Sequence, residues 1–322
     1  MSLPQILSSS LSLPAVAAPM FLISGPDLVV ECCRAGIVGS FPSLNGRTNT
    51  EFDAWLSEIE THLAEARRAS PAARIAPFAV NLISHRTNPR LEDDLDTVVR
   101  HRVPIVITSK GSPAPVLAKV HGYGGLVFHD VINIEHARKA AAAGVDGLIL
   151  VCAGAGGHAG LMNPFAILPQ VRDFFPGTII LAGCINDGRA VRAAEVMGAD
   201  LAYIGTRFMA TTESLGPASL KQMLVDAEAA DIIYTQAISG VAASFLRQSL
   251  IASGLDPATL PKEGIAPPPK GADTARKAWK DVWSAGQGVG GIKDVPGTAA
   301  LIARLKAEYR AARDADRSMA AE

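Results

Sequence analysis

The strongest constraint on this chain is a rhythm. A short run of apolar residues, a loop and a longer helix-like stretch recur through the first two-thirds of the sequence. The runs at 15–18, 36–40, 78–82, 104–108, 125–129, 147–151, 179–182 and 201–204 are mostly solid rather than alternating. A strand with one wet face alternates; one covered on both faces does not, and parallel strands are usually covered on both. Between the runs lie amphipathic segments. The clearest sets Phe52, Trp55, Leu56, Ile59 and Leu63 on one helical face, with Glu51, Glu58, Glu60 and Arg67 among its polar positions. Gly36, Gly144 and Gly198 stand at helix exits just before the next strand, where a left-handed C-cap costs glycine little. Eight such strands alternating with helices predict an α/β chain folded as a (β/α)8 TIM barrel rather than an open doubly wound sheet.

The rhythm stops after Thr212. Residues 214–255 read as helices at 221–230 and 242–252 with no strand between them. Residues 257–269 form an extended connector ending in Pro267-Pro268-Pro269. A last helix, about 298–316, carries Leu301, Ile302, Leu305 and Tyr309 on an apolar stripe. The expected organisation is a barrel over 1–213, a smaller inserted helical domain with its Pro-rich connector over 214–282, and a return segment over 283–322 that completes the barrel.

Composition narrows the function classes. Of 322 residues, 48% are apolar and 19% charged, which supports a large core and excludes wholesale disorder. Lysine plus arginine total 30 against 31 aspartate plus glutamate, so nothing electrostatic points to nucleic acid or an anionic membrane as the main partner. No apolar run approaches the ~18 residues of a spanning helix, and the N-terminus lacks a basic targeting region. A soluble cytoplasmic protein is the expectation. Cys32, Cys33, Cys152 and Cys184 lack paired CxxC spacing and the histidines lack ligand spacing, so neither a disulfide framework nor a bound metal is expected.

Barrel sites form where strands end at their C-termini. After the sixth run, Gly154, Gly156, Gly157 and Gly160 frame His158, a backbone that lets a flat ligand approach and an imidazole able to move a proton. The competing reading is a flexible loop with an incidental histidine. After the seventh and eighth runs come Gly183-Cys184 and Gly205-Thr206, each leading toward a helix start. Exposed backbone N–H groups there suit a phosphate, and phosphate sites in barrels recur after these two strands. Near the N-terminus Ala18, Pro19 and Met20 close the first run, and Asn81 lies in the third. Asn81 serves equally well as a heterocycle contact or as a turn cap.

Together these segments resemble the nitronate monooxygenase family, formerly called 2-nitropropane dioxygenases. The matching stretches are Ala18-Pro19-Met20, Pro77 to Leu82, Gly156-Gly157-His158-Ala159-Gly160, Ala182 to Arg189, Met197 to Asp200, Ile204 to Thr211 and Trp283-Ser284-Ala285-Gly286-Gln287. The resemblance implies an FMN-dependent barrel with a helical insertion. It implies that Gly183, Cys184, Gly205 and Thr206 hold the FMN phosphate. Ala18, Pro19, Met20 and Asn81 would border the flavin ring, with Ser284, Gly286 and Gln287 contacting it from the late segment. His158 would be the catalytic base that removes the proton α to a nitro group, or steadies a bound nitronate. The implied reaction takes a small-molecule substrate and O2 to a carbonyl compound and nitrite. A related activity would use NAD(P)H to reduce quinones or enoyl thioesters. The inserted lobe would shape the substrate pocket or a homodimer contact. Three positions depart from the family pattern: Ala17 where glutamine is common, Cys184 where many members have a second glycine, and Asp130 where some relatives place lysine. A reading of another class, a flavin-free barrel lyase, isomerase or phosphate-ligand scaffold, stays open on the phosphate turns alone.

Overall fold

Solid apolar strands need cover on both faces, and a barrel provides it: helices outside, packed side chains within. The computed structural model describes residues 3–267 and 279–319. Eight parallel strands, β1 (Ala15–Ala17), β2 (Gly39–Pro42), β3 (Phe78–Ile83), β4 (Ile105–Ser109), β5 (Leu126–Val131), β6 (Gly147–Val151), β7 (Thr178–Ala182) and β8 (Leu201–Ile204), run in the order β1-β8-β7-β6-β5-β4-β3-β2. A parallel bridge between Val16 and Val38 joins the two ends of that row, with the Ala17 N–H donating to the Val38 carbonyl at 2.8 Å. The fold is a TIM barrel. All eight expected strands form. The second begins three residues late because Gly36 takes a left-handed φ of +83° and belongs to the turn.

Side chains alternate strictly along the strands. Val80, Val106, Val127, Leu148, Ile179 and Ala202 face outward onto the helices. Val16, Val38, Ala79, Ile105, Ile107, Phe128, Ile149, Ile180 and Leu201 face inward and fill the barrel. A short N-terminal helix, Gln5–Ser8, adds Leu7 and Leu11 to that inner cluster and closes the barrel where the strands begin. One step toward the C-terminal ends, the inward series turns polar: Ser40, Asn81, Ser109, Asp130 and Tyr203. The change of chemistry distinguishes the C-terminal ends of these strands from the apolar filling below.

The late region differs from its sequence reading. A helix at Ala218–Asp226 forms, but the stretch expected as one helix over 242–252 divides into a strand and a short helix. β9 (Ile232–Thr235) and β10 (Ala243–Leu246) pair as an antiparallel hairpin, followed by a helix at Arg247–Ala252. The cause is tertiary. Ser244 donates its N–H to the Gly157 carbonyl at 3.0 Å and its hydroxyl to the Ala155 carbonyl at 2.9 Å, bonds that a helical backbone there would not offer. Of the Pro-rich connector, Pro268 and Pro269 lie outside the described residues. The last helix, Thr298–Met319, buries Leu301, Ile302 and Leu305 and packs on the helix Gly188–Val196 that follows β7. Among the described residues no helix is long and apolar enough to cross a membrane.

Leu7 is fully buried in the inner cluster. Leu7→Ala should therefore lower unfolding free energy by about 2–5 kcal/mol, read as a lower denaturant midpoint with little change in slope. A shift within experimental error would mean the N-terminal helix is not part of the barrel core.

Candidate active site

Four separated segments meet above the polar ends of the strands. The first is the glycine loop after β6, where Gly154 (φ +83°) and Gly157 (φ +69°) hold left-handed conformations that side chains resist. A Cβ on Gly154 would lie 2.4 Å from Cys184 Sγ and 3.0 Å from Gln287 Oε1, so the loop is wedged between the turn after β7 and the return segment. The Gln287 N–H donates to the Gly154 carbonyl at 2.8 Å, and the Gly157 N–H donates to Ser284 Oγ at 2.7 Å. Ser284 Oγ in turn donates to the Ser244 carbonyl at 2.5 Å. The Gly286 N–H donates to Thr206 Oγ1 at 2.9 Å, and Asn186 Nδ2 donates to the Gly288 carbonyl. The structure thus brings Cys184, Ser284, Gly286 and Gln287 against the loop that carries His158, with Thr206 joined to it through Gly286.

Of the remaining sequence-predicted residues, Ala18 and Met20 approach Gly205 from the end of β1, and Asn81 lies on the inward face of β3. A Cβ on Gly205 would meet only Ala18 Cβ at 3.7 Å and Met20 Sδ at 4.0 Å. Half-buried Pro19 links those two residues. Asn45 holds their loop in place, its amide nitrogen donating to the Met20 and Ser24 carbonyls at 3.0 and 2.8 Å. Asn81 points inward and spends its amide hydrogens on Ser109 Oγ at 2.5 Å and the Ile107 carbonyl at 3.2 Å. Its carbonyl oxygen is the group it can still offer.

The helix start after β7 is not open to an anion. Asp187 Oδ1 caps the Ala190 N–H at 2.7 Å, and Glu308 accepts from the Gly188 N–H at 2.8 Å. Any phosphate at this strand end therefore depends on the Gly183-Cys184 turn itself. Cys184 sits there with φ +57°; the residue is exposed, while partial burial raises the pKa of its thiol. Arg207, next to Thr206, turns away: it is buried and bonds Asp294 Oδ1 at 3.2 Å. His129 also stands apart, bonded through Nδ1 to Thr108 Oγ1 at 2.7 Å.

His158 is half-buried, its ring 4.9 Å from that of Trp279. Burial, with the nearby Lys110 ammonium adding repulsion, pushes its pKa down to about 4. The imidazole is accordingly neutral at physiological pH and has a lone pair to offer. Lys110 follows β4 in a left-handed backbone conformation (φ +54°), and its own pKa is lowered by partial burial. Among the described residues it has no ion-pair partner. A neutral imidazole with an ammonium in electrostatic reach can accept a proton while the cation favours a nearby anion. Lys110, Trp279 and Ser244 carry no sequence signal of this role. A lysine after a strand or a serine in an apolar stretch is ordinary until the fold shows what it faces.

The chain matches the family profile for NMO, nitronate monooxygenase, over residues 6–308. It belongs to the nitronate monooxygenase family. This is an oxidoreductase family whose chemistry is flavin-dependent. A nitronate monooxygenase of Paraburkholderia phytofirmans is 27% identical over 347 residues, covering 92% of each chain. The (3aS,4S,5R,7aS)-5-hydroxy-7a-methyl-1-oxo-octahydro-1H-indene-4-carboxyl-CoA dehydrogenase of Rhodococcus jostii is 27% identical over 240 residues, covering 74% of this chain. The match spans 64% of that dehydrogenase's length, just under two-thirds. In fold, the chain resembles FabK from Thermotoga maritima, with a TM-score of 0.77, 22% identity and coverage of 99% and 100% of the two chains. It likewise resembles a nitroalkane oxidase from Streptomyces ansochromogenes, with a TM-score of 0.76, 23% identity and coverage of 97% and 100%.

Removing the cation tests the electrostatics. Lys110→Met should raise the His158 pKa, because the repulsive charge is gone, yet leave it below the ordinary histidine value because burial persists. Imidazole NMR titration measures this, and an unmoved pKa would separate the two residues.

Proposed function

We propose that this chain is an FMN-dependent oxidoreductase that oxidises alkyl nitronates or nitroalkanes with O2 to a carbonyl compound and nitrite, with His158 as base. The observation that carries the reading is a neutral imidazole set on a glycine loop among openings that side chains would fill. An added Cβ on Gly205 has only Ala18 and Met20 near it, and one on Gly157 has nothing within 4 Å. Tyr203 OH and Asp130 Oδ1 are buried among the inward polar positions without a hydrogen-bond partner. Gaps beside bare backbone, with unpaired polar atoms nearby, suit a flat heterocycle with a phosphate tail, and in that sense the residues fit FMN. When bound, FMN would supply the electron acceptor for the substrate and the route to O2.

The rest falls to the chain. Gly183, Cys184, Gly205 and Thr206 hold the phosphate, largely through backbone N–H groups. Ala18, Pro19, Met20 and Asn81 border the ring, and Ser284, Gly286 and Gln287 approach it from the return segment. His158 accepts the proton from the carbon α to the nitro group at an imidazole nitrogen, and Lys110 balances the charge on the nitro oxygens. A base with a pKa of about 4 is weak in the free protein. The nitronate formed beside it favours the imidazolium and raises its proton affinity during the step. The division into a barrel over 1–213, an insertion over 214–282 and a return over 283–322 is part of the same proposal.

The name of the Rhodococcus jostii relative favours a second reading. The same base and cation would then face a thioester, in an FMN-dependent oxidation or an NAD(P)H-dependent reduction of enoyl thioesters or quinones. A turnover panel on FMN-loaded protein separates them: nitronate with O2, NADH with quinone, and NADPH with an enoyl thioester. Turnover of the pyridine nucleotide pairs alone would overturn the first reading.

Two variants test the roles. His158→Ala should keep FMN and lose about 10²–10⁴-fold activity on neutral nitroalkanes, with a smaller loss on preformed nitronate, which needs no base. Equal losses on both substrates would remove proton abstraction from its duties. Gly205→Val should fold, since an added Cβ meets only ordinary contacts, and should bind FMN more weakly by filling the gap. Undiminished flavin content after purification would take Gly205 out of the site.

A further inference from the structure

We infer that Asp130 and Tyr203 form a polar floor beneath the crown and that Asp130 takes up a proton from solvent when the bound flavin is reduced. This rests on the FMN reading and concerns residues to which that reading gives no part in the reaction. Asp130 is the penultimate residue of β5 and Tyr203 of β8, both at inward-facing positions one step above the apolar filling of the barrel. Asp130 Oδ1 and Tyr203 OH are each buried with no hydrogen-bond partner. Buried polar atoms are rarely left unpaired, and two facing the same interior point to a ligand that completes them. Tyr203 packs in one cluster with Ala18, and Ala18 also walls the gap in front of Gly205. The floor and the proposed flavin gap are therefore contiguous.

Among the described residues no cation compensates Asp130. From β4, the Ser109 hydroxyl bonds its carboxyl, and Ser109 Oγ also accepts from Asn81 of β3. From β8 comes Tyr203, whose phenol is held well above its ordinary pKa by burial and by the charge Asp130 would carry. On the β6 side the inward neighbours Ile149 and Val151 are apolar. His129 of the same strand bonds Thr108, and His136 of the outer helix acts on His129. Lys110, beyond Ser109, acts on His158. With only the Ser109 hydrogen bond opposing burial, the Asp130 carboxyl is pushed up to about 7.

Two-electron reduction of FMN with uptake of one proton leaves one negative charge on the ring. That charge disfavours a second negative charge on the floor, so above about pH 7 a second proton moves from solvent to the Asp130 carboxylate. The balance is two electrons from the reductant and two protons from water, one to the ring and one to Asp130.

The test is potentiometry of the FMN-loaded protein with electrode and mediator dyes from about pH 7 to about pH 9. The wild type should show one extra proton per two electrons, a slope of midpoint potential against pH about twice that of a one-proton flavin. Asp130→Asn, which cannot titrate, should bind FMN and return to the shallower slope. A one-proton slope in the wild type overturns the inference and leaves the flavin reading standing, as do equal steep slopes in both proteins. Failure of the wild type to take up FMN overturns both. If the variant does not load, ¹³C-carboxyl NMR of aspartate-labelled wild type decides. One carboxyl should become protonated on reduction at about pH 8, and an unchanged carboxyl spectrum overturns the inference.

Discussion

The site depends on the clasp between the glycine loop after β6 and chain that follows it by about a hundred residues. Gly154 and Gly157 present their carbonyl and N–H groups to Gln287 and Ser284, Ser284 passes the contact to Ser244, and the hairpin strand at Ser244 bonds back to Ala155 and Gly157. Tyr234 adds a fourth contact, donating its hydroxyl to the Ala159 carbonyl at 3.0 Å. A loop this rich in glycine loses more conformational entropy on ordering than any other composition. Left to itself it would sample many shapes, and His158 with it. Held from both sides it has one, so the late region acts as the mould in which the loop carrying His158 is cast.

This explains which parts could be read from the sequence. The eight strands were legible because burial on both faces leaves a solid apolar signature that needs no knowledge of neighbours. The glycines around His158 were legible for a related reason, since left-handed backbone writes itself into residue type. Ala243 to Leu246 were not. Their strand conformation comes from bonds to a loop nearly ninety positions earlier, and local pattern favoured a helix. Lys110 and Trp279 were hidden for the same cause: each is an unremarked residue until the chain folds it toward His158. The polar change along the inward face of the strands lies between these cases. Asn81, Ser109, Asp130 and Tyr203 are visible in the sequence, but only the register shows that they share one surface.

Charge in the crown is governed by burial more than by pairing. Among the described residues neither His158 nor Lys110 enters a salt bridge; the pairs near the strand-end turns, Arg189 with Asp187 and Arg207 with Asp294, involve other groups. Around His158 no carboxylate answers Lys110 among the described residues, and the imidazole stays neutral. Such surroundings disfavour charged groups, so any charge arising there would be strongly felt.

Cys184 shows how the departures from the family pattern are absorbed. A side chain at φ +57° is strained. The thiol lies toward the glycine loop, 2.4 Å from where a Cβ on Gly154 would stand. A larger residue at Gly154 would push the thiol back over the turn. The freedom of position 184 and the constraint on position 154 are therefore one packing fact, and each can change only if the other does.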